Sequence, residues 1–334
     1  MRLAWLLAVL MLPGSVAAAA EISPAIAPGR LLVQTAAGQG ALPLQLSADW
    51  TRASPDVEQV LIFVPDESRN ADAALRIAQS VRYAGGEQAR NTLLAVAQFL
   101  TDADVRTHHA PADVLHWSAA GWIDGDVAQG PAPISSFAVL DAMLAQLDDP
   151  TRFPALRRVV LVGHAAGAQL VQRYAVVGQS ASALIRRGIV VRYVVANASS
   201  YLWFGDNRPD TANAAACSDA DRWRYGLRGA PAYVQQDAAA LEERYIRRDV
   251  IYLLGEADSD PAQRSLDTSC AAEAQGPTRY ARGMHYLFGL ELRHPNLVRH
   301  RVLSVWGIGH DAGSMFVSPC GLAALFERPG CAAY

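Results

Sequence analysis

The chain has 334 residues, of which 51% are hydrophobic, so it is long enough to bury one large core or two modest ones and its composition argues against disorder. Its formal charge is -3, and its basic side chains, all Arg, are scattered among acids. Nucleic acid is therefore not expected as a partner, because phosphate binding needs clustered cationic side chains.

Residues 1–20 have the pattern of a secretory signal peptide. An early Arg precedes an apolar stretch from Leu3 to Leu12, which ends at a Pro-Gly break before a run of small residues. A transmembrane anchor would need about 20 apolar residues. We therefore predict cleavage near Ala20, a secreted or periplasmic mature chain and no membrane span.

Beyond the leader, residues 21–334 are predicted to form one domain in which strands alternate with helices. Apolar runs rich in β-branched residues predict strands over 57–64, 91–99, 157–163, 189–197, 249–255 and 300–307. Helices are predicted over 71–81, 135–147 and 168–177, and a leading hairpin from 31–34 and 42–47. This alternation implies right-handed crossovers and a twisted, mainly parallel sheet with helices on both faces, which is the α/β class.

The segment 201–247 interrupts the alternation and is rich in aromatic and Arg residues. We interpret it as a cap over the ligand-binding edge of the sheet, with a long packed loop as the alternative. Tyr201, Trp203 and Trp223 are candidate substrate-binding residues, although the same aromatic side chains would serve equally to pack the cap.

Four cysteines remain in the predicted mature chain. Four allow three disulfide connectivities, and an oxidising compartment favours two disulfides. We favour Cys217–Cys270 and Cys320–Cys331, because the second pair closes a short C-terminal loop. A zinc site is the alternative, but the chain has no C-x-x-C pair, so no metal is expected.

Ligands of open α/β sheets bind at the carboxyl ends of the strands. Three segments at such ends are "VGHAAGA" (162–168), "LLGEADSD" (253–260) and "VWGIGHDAGSMF" (305–316). They resemble the nucleophile elbow, the acid loop and the histidine loop of the α/β-hydrolase family, in the chain order of that family. The resemblance covers nearly the whole mature chain and implies an esterase-like serine hydrolase that needs no metal or organic cofactor.

The resemblance implies a catalytic base and a catalytic acid. His310, flanked by glycine on a loop after a strand, matches the base, and Asp258 matches the carboxylate that orients it. Asp260 and Glu256 are rival candidates for that carboxylate.

An oxyanion hole is implied as well. The family uses the backbone N–H after the nucleophile, here that of Ala166, and an N–H from the loop after the third strand, here that of Glu67 or Ser68. Asp66 departs from many relatives, and a carboxylate near a developing oxyanion would oppose it electrostatically.

The nucleophile position of the elbow holds Ala165, where a serine is expected. Three explanations remain open: a deliberate Ser→Ala substitution, natural loss of the nucleophile, or a displaced nucleophile at Ser68, Ser199 or Ser200. We expect the chain to bind a small-molecule ester or amide and to turn it over poorly or not at all. The alternative is a pseudo-hydrolase that acts as a binding or scaffolding protein.

Overall fold

The computed structural model describes residues 21–331. Residues 1–20, where the signal-peptide prediction falls, and residues 332–334 lie outside the described part. Within it the strands are β1 (Gly29–Thr35), β2 (Gly38–Leu46), β3 (Gln59–Val64), β4 (Thr92–Ala97), β5 (Leu100–Thr101), β6 (His116–Trp117), β7 (Arg158–His164), β8 (Val190–Ala196), β9 (Asp249–Gly255) and β10 (Arg301–Val305). The helices are α1 (Ala71–Gly85), α2 (Asp102–Thr107), α3 (Gly121–Asp124), α4 (Ser136–Leu147), α5 (Ala165–Val177), α6 (Ala181–Arg186), α7 (Thr211–Ala216), α8 (Ala238–Tyr245), α9 (Cys270–Glu273), α10 (Arg279–Arg293), α11 (Ala312–Val317) and α12 (Pro319–Phe326), with a 3₁₀ turn at Gly86–Ala89.

Eight of the described strands form one sheet in the order β1-β2-β4-β3-β7-β8-β9-β10. The β1/β2 and β2/β4 pairs are antiparallel, and every pair from β4 to β10 is parallel. The mainly parallel α/β sheet is therefore confirmed, as is the leading hairpin. All six residues of β3 and all six of β4 are buried, which is why these strands are continuous apolar runs without polar alternation.

The sheet separates two hydrophobic cores. Alternate residues of β3 enter opposite cores: Val60 and Ile62 pack with residues of α4 and α5, whereas Leu61 and Phe63 pack with residues of α1 and α12. The helices therefore cover both faces, as expected for right-handed crossovers.

Several element boundaries differ from the sequence prediction, and at two of them, next to the sheet edge, local backbone geometry sets the boundary. The helix predicted from residue 168 begins at Ala165, directly after the strand. The last strand ends at Val305, because the following turn contains Gly307 at a φ of +73°. Sequence reasoning did not predict α10, whose buried face mixes Arg282 with Tyr286 and Leu290 and so breaks the apolar stripe.

The segment 201–247 contains α7 and α8 joined by irregular chain. The Cys217–Cys270 disulfide ties it to α9, and the second disulfide joins Cys320 to Cys331, so both predicted pairings are confirmed. The interpretation of this segment as a cap stays a prediction. Among residues 21–331 we find no helix that combines the length and the hydropathy needed to cross a bilayer.

Candidate active site

The turn from β7 into α5 places Ala165 in a constrained position. Ala165 has a φ of +50°, in the left-handed region that costs an L-residue roughly 1 kcal/mol. A Cβ on Gly163 would lie 2.3 Å from the Gly167 carbonyl carbon, and one on Gly167 would lie 2.2 Å from the Val64 carbonyl oxygen. Both glycines are therefore required for the helix to leave the strand this sharply, and the residue between them is displayed at the carboxyl edge of the sheet.

Asp258 and His310 lie together at the same edge, after β9 and β10. The His310 Nδ1 atom is 2.7 Å from Asp258 Oδ2, and the Asp258 carboxylate is buried. A carboxylate at Nδ1 fixes the tautomer that carries its proton there, which leaves Nε2 to accept a proton. The arrangement is thus able to act as a base toward a group at the sheet edge.

The two rival carboxylates do not contact His310. Asp260 is exposed, and its carboxylate accepts a hydrogen bond from the Ala262 N–H at 2.9 Å. Glu256 accepts a hydrogen bond from the Ser304 hydroxyl at 2.7 Å. Of the three carboxylates weighed from the sequence, the structure brings only Asp258 to the imidazole.

Asn197, which follows β8, connects the loops that carry Asp258 and His310. Its side-chain oxygen accepts from the Gly255 N–H at 2.9 Å, and its side-chain nitrogen donates to the Gly309 carbonyl at 3.1 Å. Asn197 is fully buried and has a φ of +48°, a conformation that Asn tolerates better than most residues. Its amide therefore sets the spacing between the two loops.

His164 lies beneath the imidazole of His310, with the two ring centroids 4.5 Å apart. Burial, reinforced by the neighbouring His310, lowers the pKa of His164 to about 3. His164 is therefore neutral near pH 7, and it directly precedes Ala165 in the chain. The contact places the Asp258–His310 pair next to the turn.

The loop after β3 was expected to supply a backbone donor. The Ser68 N–H is already bound to the Asp66 carboxylate at 3.0 Å, and the Ser68 hydroxyl donates to the same oxygen at 2.5 Å. Among the described residues the Glu67 N–H has no acceptor. Of the two candidates, the Glu67 N–H is therefore the available donor, and the Asp66 carboxylate is engaged within its own loop.

A cavity of about 370 Å³ opens beside Ala165. Its walls combine charged, polar and apolar side chains: Glu67, Ile123, Ala165, Ala166, Gln169, Ser199, Arg224, Arg264, Ser265, Leu266, Asp267 and Arg279. The buried Arg279 also approaches the acid, with a guanidinium nitrogen 3.5 Å from Asp258 Oδ1. No short-range sequence signal marked Arg279, because it lies on α10, 21 residues after Asp258 and outside every motif.

The predicted aromatic substrate-binding residues do not line this cavity. Tyr201 is fully buried and stacks on Tyr286, with ring centroids 4.9 Å apart. Trp203 packs edge-on against the same ring, at 5.2 Å. The Trp223 indole N–H donates to the Asp124 carbonyl at 2.7 Å. Tyr201 and Trp203 are part of the main hydrophobic core, and Trp223 packs against it.

The three alternative serines all have their hydroxyls engaged away from His310. Besides Ser68, the Ser199 hydroxyl accepts from the Asp267 N–H at 2.7 Å, and the Ser200 hydroxyl donates to Gln169 at 2.9 Å. No hydrogen bond joins any of these hydroxyls to His310 within residues 21–331. In the same part of the chain, no group of three or more His, Cys, Asp or Glu side chains is arranged to hold a metal ion.

The sheet order and the loops at its carboxyl edge define the α/β-hydrolase fold. The chain superimposes on poly(aspartic acid) hydrolase-1 from Sphingomonas sp. KT-1 with a TM-score of 0.59 and 22% identity, covering 88% of this chain and 96% of that one. It superimposes on a poly(3-hydroxybutyrate) depolymerase from Bordetella parapertussis with a TM-score of 0.61 and 20% identity, covering 90% of this chain and 91% of that one. At these identities the likeness establishes the fold. The sequence matches no family model and no curated protein.

Proposed function

We propose that the chain is built as a serine hydrolase that acts on carboxylic esters or amides by acyl transfer, with Ala165 occupying the nucleophile position. The observation that carries this proposal is the Asp258–His310 hydrogen bond beside a strained turn whose central residue is Ala165. The hydrolase names of the two superimposed structures support the reaction class.

A serine at position 165 would complete the reaction cycle. Its hydroxyl oxygen attacks the substrate carbonyl carbon while the proton passes to His310 Nε2, and Asp258 stabilises the imidazolium. The backbone N–H groups of Ala166 and Glu67 donate to the oxyanion of the tetrahedral intermediate. Collapse of that intermediate expels the alcohol or amine, which takes the proton from His310. Water then attacks the acyl group by the same route and releases the acid.

The chain as written lacks the attacking atom, because the Ala165 side chain is a methyl group. The remaining contributions, binding and the oxyanion donors, give only a small fraction of the full rate in hydrolases of this type. We therefore expect substrate binding with little or no turnover.

Ala165→Ser is expected to raise ester hydrolysis by at least roughly a hundredfold, because it restores the nucleophile to a base already in place. Turnover of p-nitrophenyl esters, poly(3-hydroxybutyrate) and poly(aspartic acid) measures the gain. The matched control is Ala165→Ser combined with His310→Asn, which keeps the hydroxyl and removes the base. A gain that survives in the control, or no gain with the fold intact by circular dichroism, would contradict the proposal.

A second candidate function is that of a natural pseudo-hydrolase, which acts as a small-molecule binding or scaffolding protein and not as an enzyme, and Ala165 itself favours it. A binding protein would keep the 370 Å³ cavity while having no need of the nucleophile. Calorimetric titration of the chain as written with candidate carboxylic esters and amides separates small-molecule binding from a purely scaffolding role, since a scaffold would give no heat of binding.

We also propose export from the cytoplasm. The two disulfides support this, because disulfides persist mainly in oxidising compartments.

A further inference from the structure

The first described residues of the chain are attached to the loop after β3, which we call the oxyanion loop (residues 65–70). The Ser23 N–H donates to Asp104 Oδ1 at 2.7 Å, and the Ser23 hydroxyl lies 3.1 Å from the Arg69 carbonyl oxygen. The Arg69 guanidinium in turn donates to the Glu21 carbonyl. Two of these contacts join residues 21–23 directly to Arg69 at the end of the oxyanion loop, and the third joins Ser23 to Asp104.

Arg69 is the residue through which these contacts act on the loop. Its guanidinium forms a buried ion pair with Asp104, with nitrogen–oxygen distances of 2.8 and 3.1 Å. The same guanidinium donates to the Glu67 carbonyl, and the Arg69 N–H donates to the Asp66 carbonyl at 3.0 Å. These bonds fix the carbonyl groups of Asp66 and Glu67, which lie on either side of the Glu67 N–H. Both carbonyls are thereby turned toward Arg69, and neither accepts from the Glu67 N–H.

Asp104 keeps its charge although it is fully buried. Burial alone would raise the pKa of Asp104, but hydrogen bonds from Arg69, the Ser23 N–H and Thr101 together hold it below its ordinary value. Because the carboxylate gathers these donors at one point, the loss of its charge would leave the Arg69 cation buried without a partner.

Gln98 reinforces the same junction. Its buried side-chain nitrogen lies within 3.0 Å of three oxygens: the Ser23 hydroxyl, the Ala25 carbonyl and the Arg69 carbonyl. Its side-chain oxygen accepts from the Ala27 N–H at 2.7 Å. The N-terminal segment and the oxyanion loop are therefore held by one continuous polar network.

We infer that residues 21–23 and the Arg69–Asp104 pair position the oxyanion loop, so that the Glu67 N–H is available to an oxyanion only when the N-terminal segment is docked. This inference rests on the proposed function for its catalytic consequence, but its structural part does not. Arg69 and Asp104 act here as positioning residues.

Hydrogen–deuterium exchange tests the structural part on the chain as written. Asp104→Asn is expected to speed exchange in residues 21–27 and 65–70 at least tenfold, because an amide cannot neutralise Arg69. Deletion of residues 21–23 is the second variant, since it leaves the ion pair in place. The control is Asp249→Asn, which breaks the remote ion pairs of Asp249 with Arg192 and Arg301 and should leave residues 65–70 unchanged. Unchanged exchange in residues 65–70 of both test variants would overturn the inference.

Kinetics in the Ala165→Ser background test the catalytic part. Misplacing one oxyanion donor is expected to lower kcat by about tenfold to a hundredfold while KM stays within about twofold, since the donor acts mainly in the transition state. Asp104→Asn and the deletion should show this split, and Asp249→Asn should not. Equal kcat values across these variants would overturn the positioning role. Absence of activity in Ala165→Ser itself would instead refute the proposed function, and the exchange measurement would still decide the structural part.

Discussion

Ala165 adopts a left-handed backbone conformation that alanine does not itself favour. Such strain persists only where the surroundings impose it. Here Gly163 and Gly167 have no side chain, which lets the backbones of β7, α5 and β3 approach closely and hold the turn in place. The turn thus presents the methyl group of Ala165 to the cavity. This conformation supports the proposal that position 165 is the nucleophile position.

Asp258→Asn in the Ala165→Ser background is expected to lower kcat by about 10⁴-fold, the magnitude seen when the orienting carboxylate of such a triad becomes an amide. The amide favours the wrong tautomer of His310 and cannot stabilise its imidazolium. Initial rates with a p-nitrophenyl ester measure the loss. Asp260→Asn is the matched control, because Asp260 is exposed and does not contact His310. If both variants lost kcat equally, Asp258 would not be the carboxylate that orients His310.

Individual site residues differ in how far the sequence could predict them. His310 and Asp258 each lie after a strand, so the rule for carboxyl ends together with the family resemblance selected them, but the sequence left Asp260 and Glu256 as rivals for the carboxylate. Arg279 and the Arg69–Asp104 pair gave no local signal, because their contacts join residues 21 and 35 positions apart. The aromatic residues of the insertion were ambiguous, since the same ring serves a pocket or a core.

At the scale of elements, the site is assembled where β7, β8, β9 and β10 end. Their parallel register brings His164 level with Ala196, and Val305 level with Gly255, so the four following loops emerge side by side. Asn197 then connects two of these loops through its side-chain amide. The sheet and the Asn197 amide thus fix the positions of these loops relative to one another.

Gly167→Ala is expected to destabilise the protein by about 3 kcal/mol, because the added methyl would overlap the Val64 and Pro65 carbonyl oxygens. Urea unfolding measures the change. Gly313→Ala is the control, since Gly313 lies in α11 with Asp311 Oδ1 as its nearest neighbour at 3.5 Å, and alanine favours helix there. If Gly167→Ala were as stable as Gly313→Ala, the close packing described for the turn would be wrong.

Among the elements, the ends of the buried strands could be predicted to within about two residues, because a sheet covered on both faces demands continuous apolar runs. The start of α5 could not, since the sharp turn at Ala165 depends on contacts with β3 that no local pattern reports. The helix α10 was missed because Arg279 and Arg282 replace apolar residues on its buried face.

At the scale of the whole molecule, the protein buries two neutral histidines that should couple folding to pH. Burial lowers the pKa of His164 to about 3 and that of His300 to about 4, against an ordinary value of 6.5. Between its folded-state pKa and 6.5, each of these histidines is protonated in the unfolded chain but not in the native chain. The free energy of unfolding therefore rises with pH in this window.

Lowering the pH from 6.5 to about 5 is therefore expected to reduce the free energy of unfolding with a slope that approaches roughly 2.7 kcal/mol per pH unit, about 1.4 for each histidine. Urea unfolding at several pH values in this window measures the slope. His300→Gln should remove about half of it, because the glutamine does not titrate. A slope unchanged by His300→Gln would show that other groups bind the protons.

The most direct test of the central claim is fluorophosphonate labelling followed by intact-mass spectrometry, on the chain as written and on Ala165→Ser. Such a probe reacts only with an activated nucleophile. We predict that Ala165→Ser gains one phosphonyl adduct, located at position 165, and that the chain as written gains none. An adduct on both proteins would place the nucleophile at another residue, and an adduct on neither would show that Asp258 and His310 do not form a working hydrolase site.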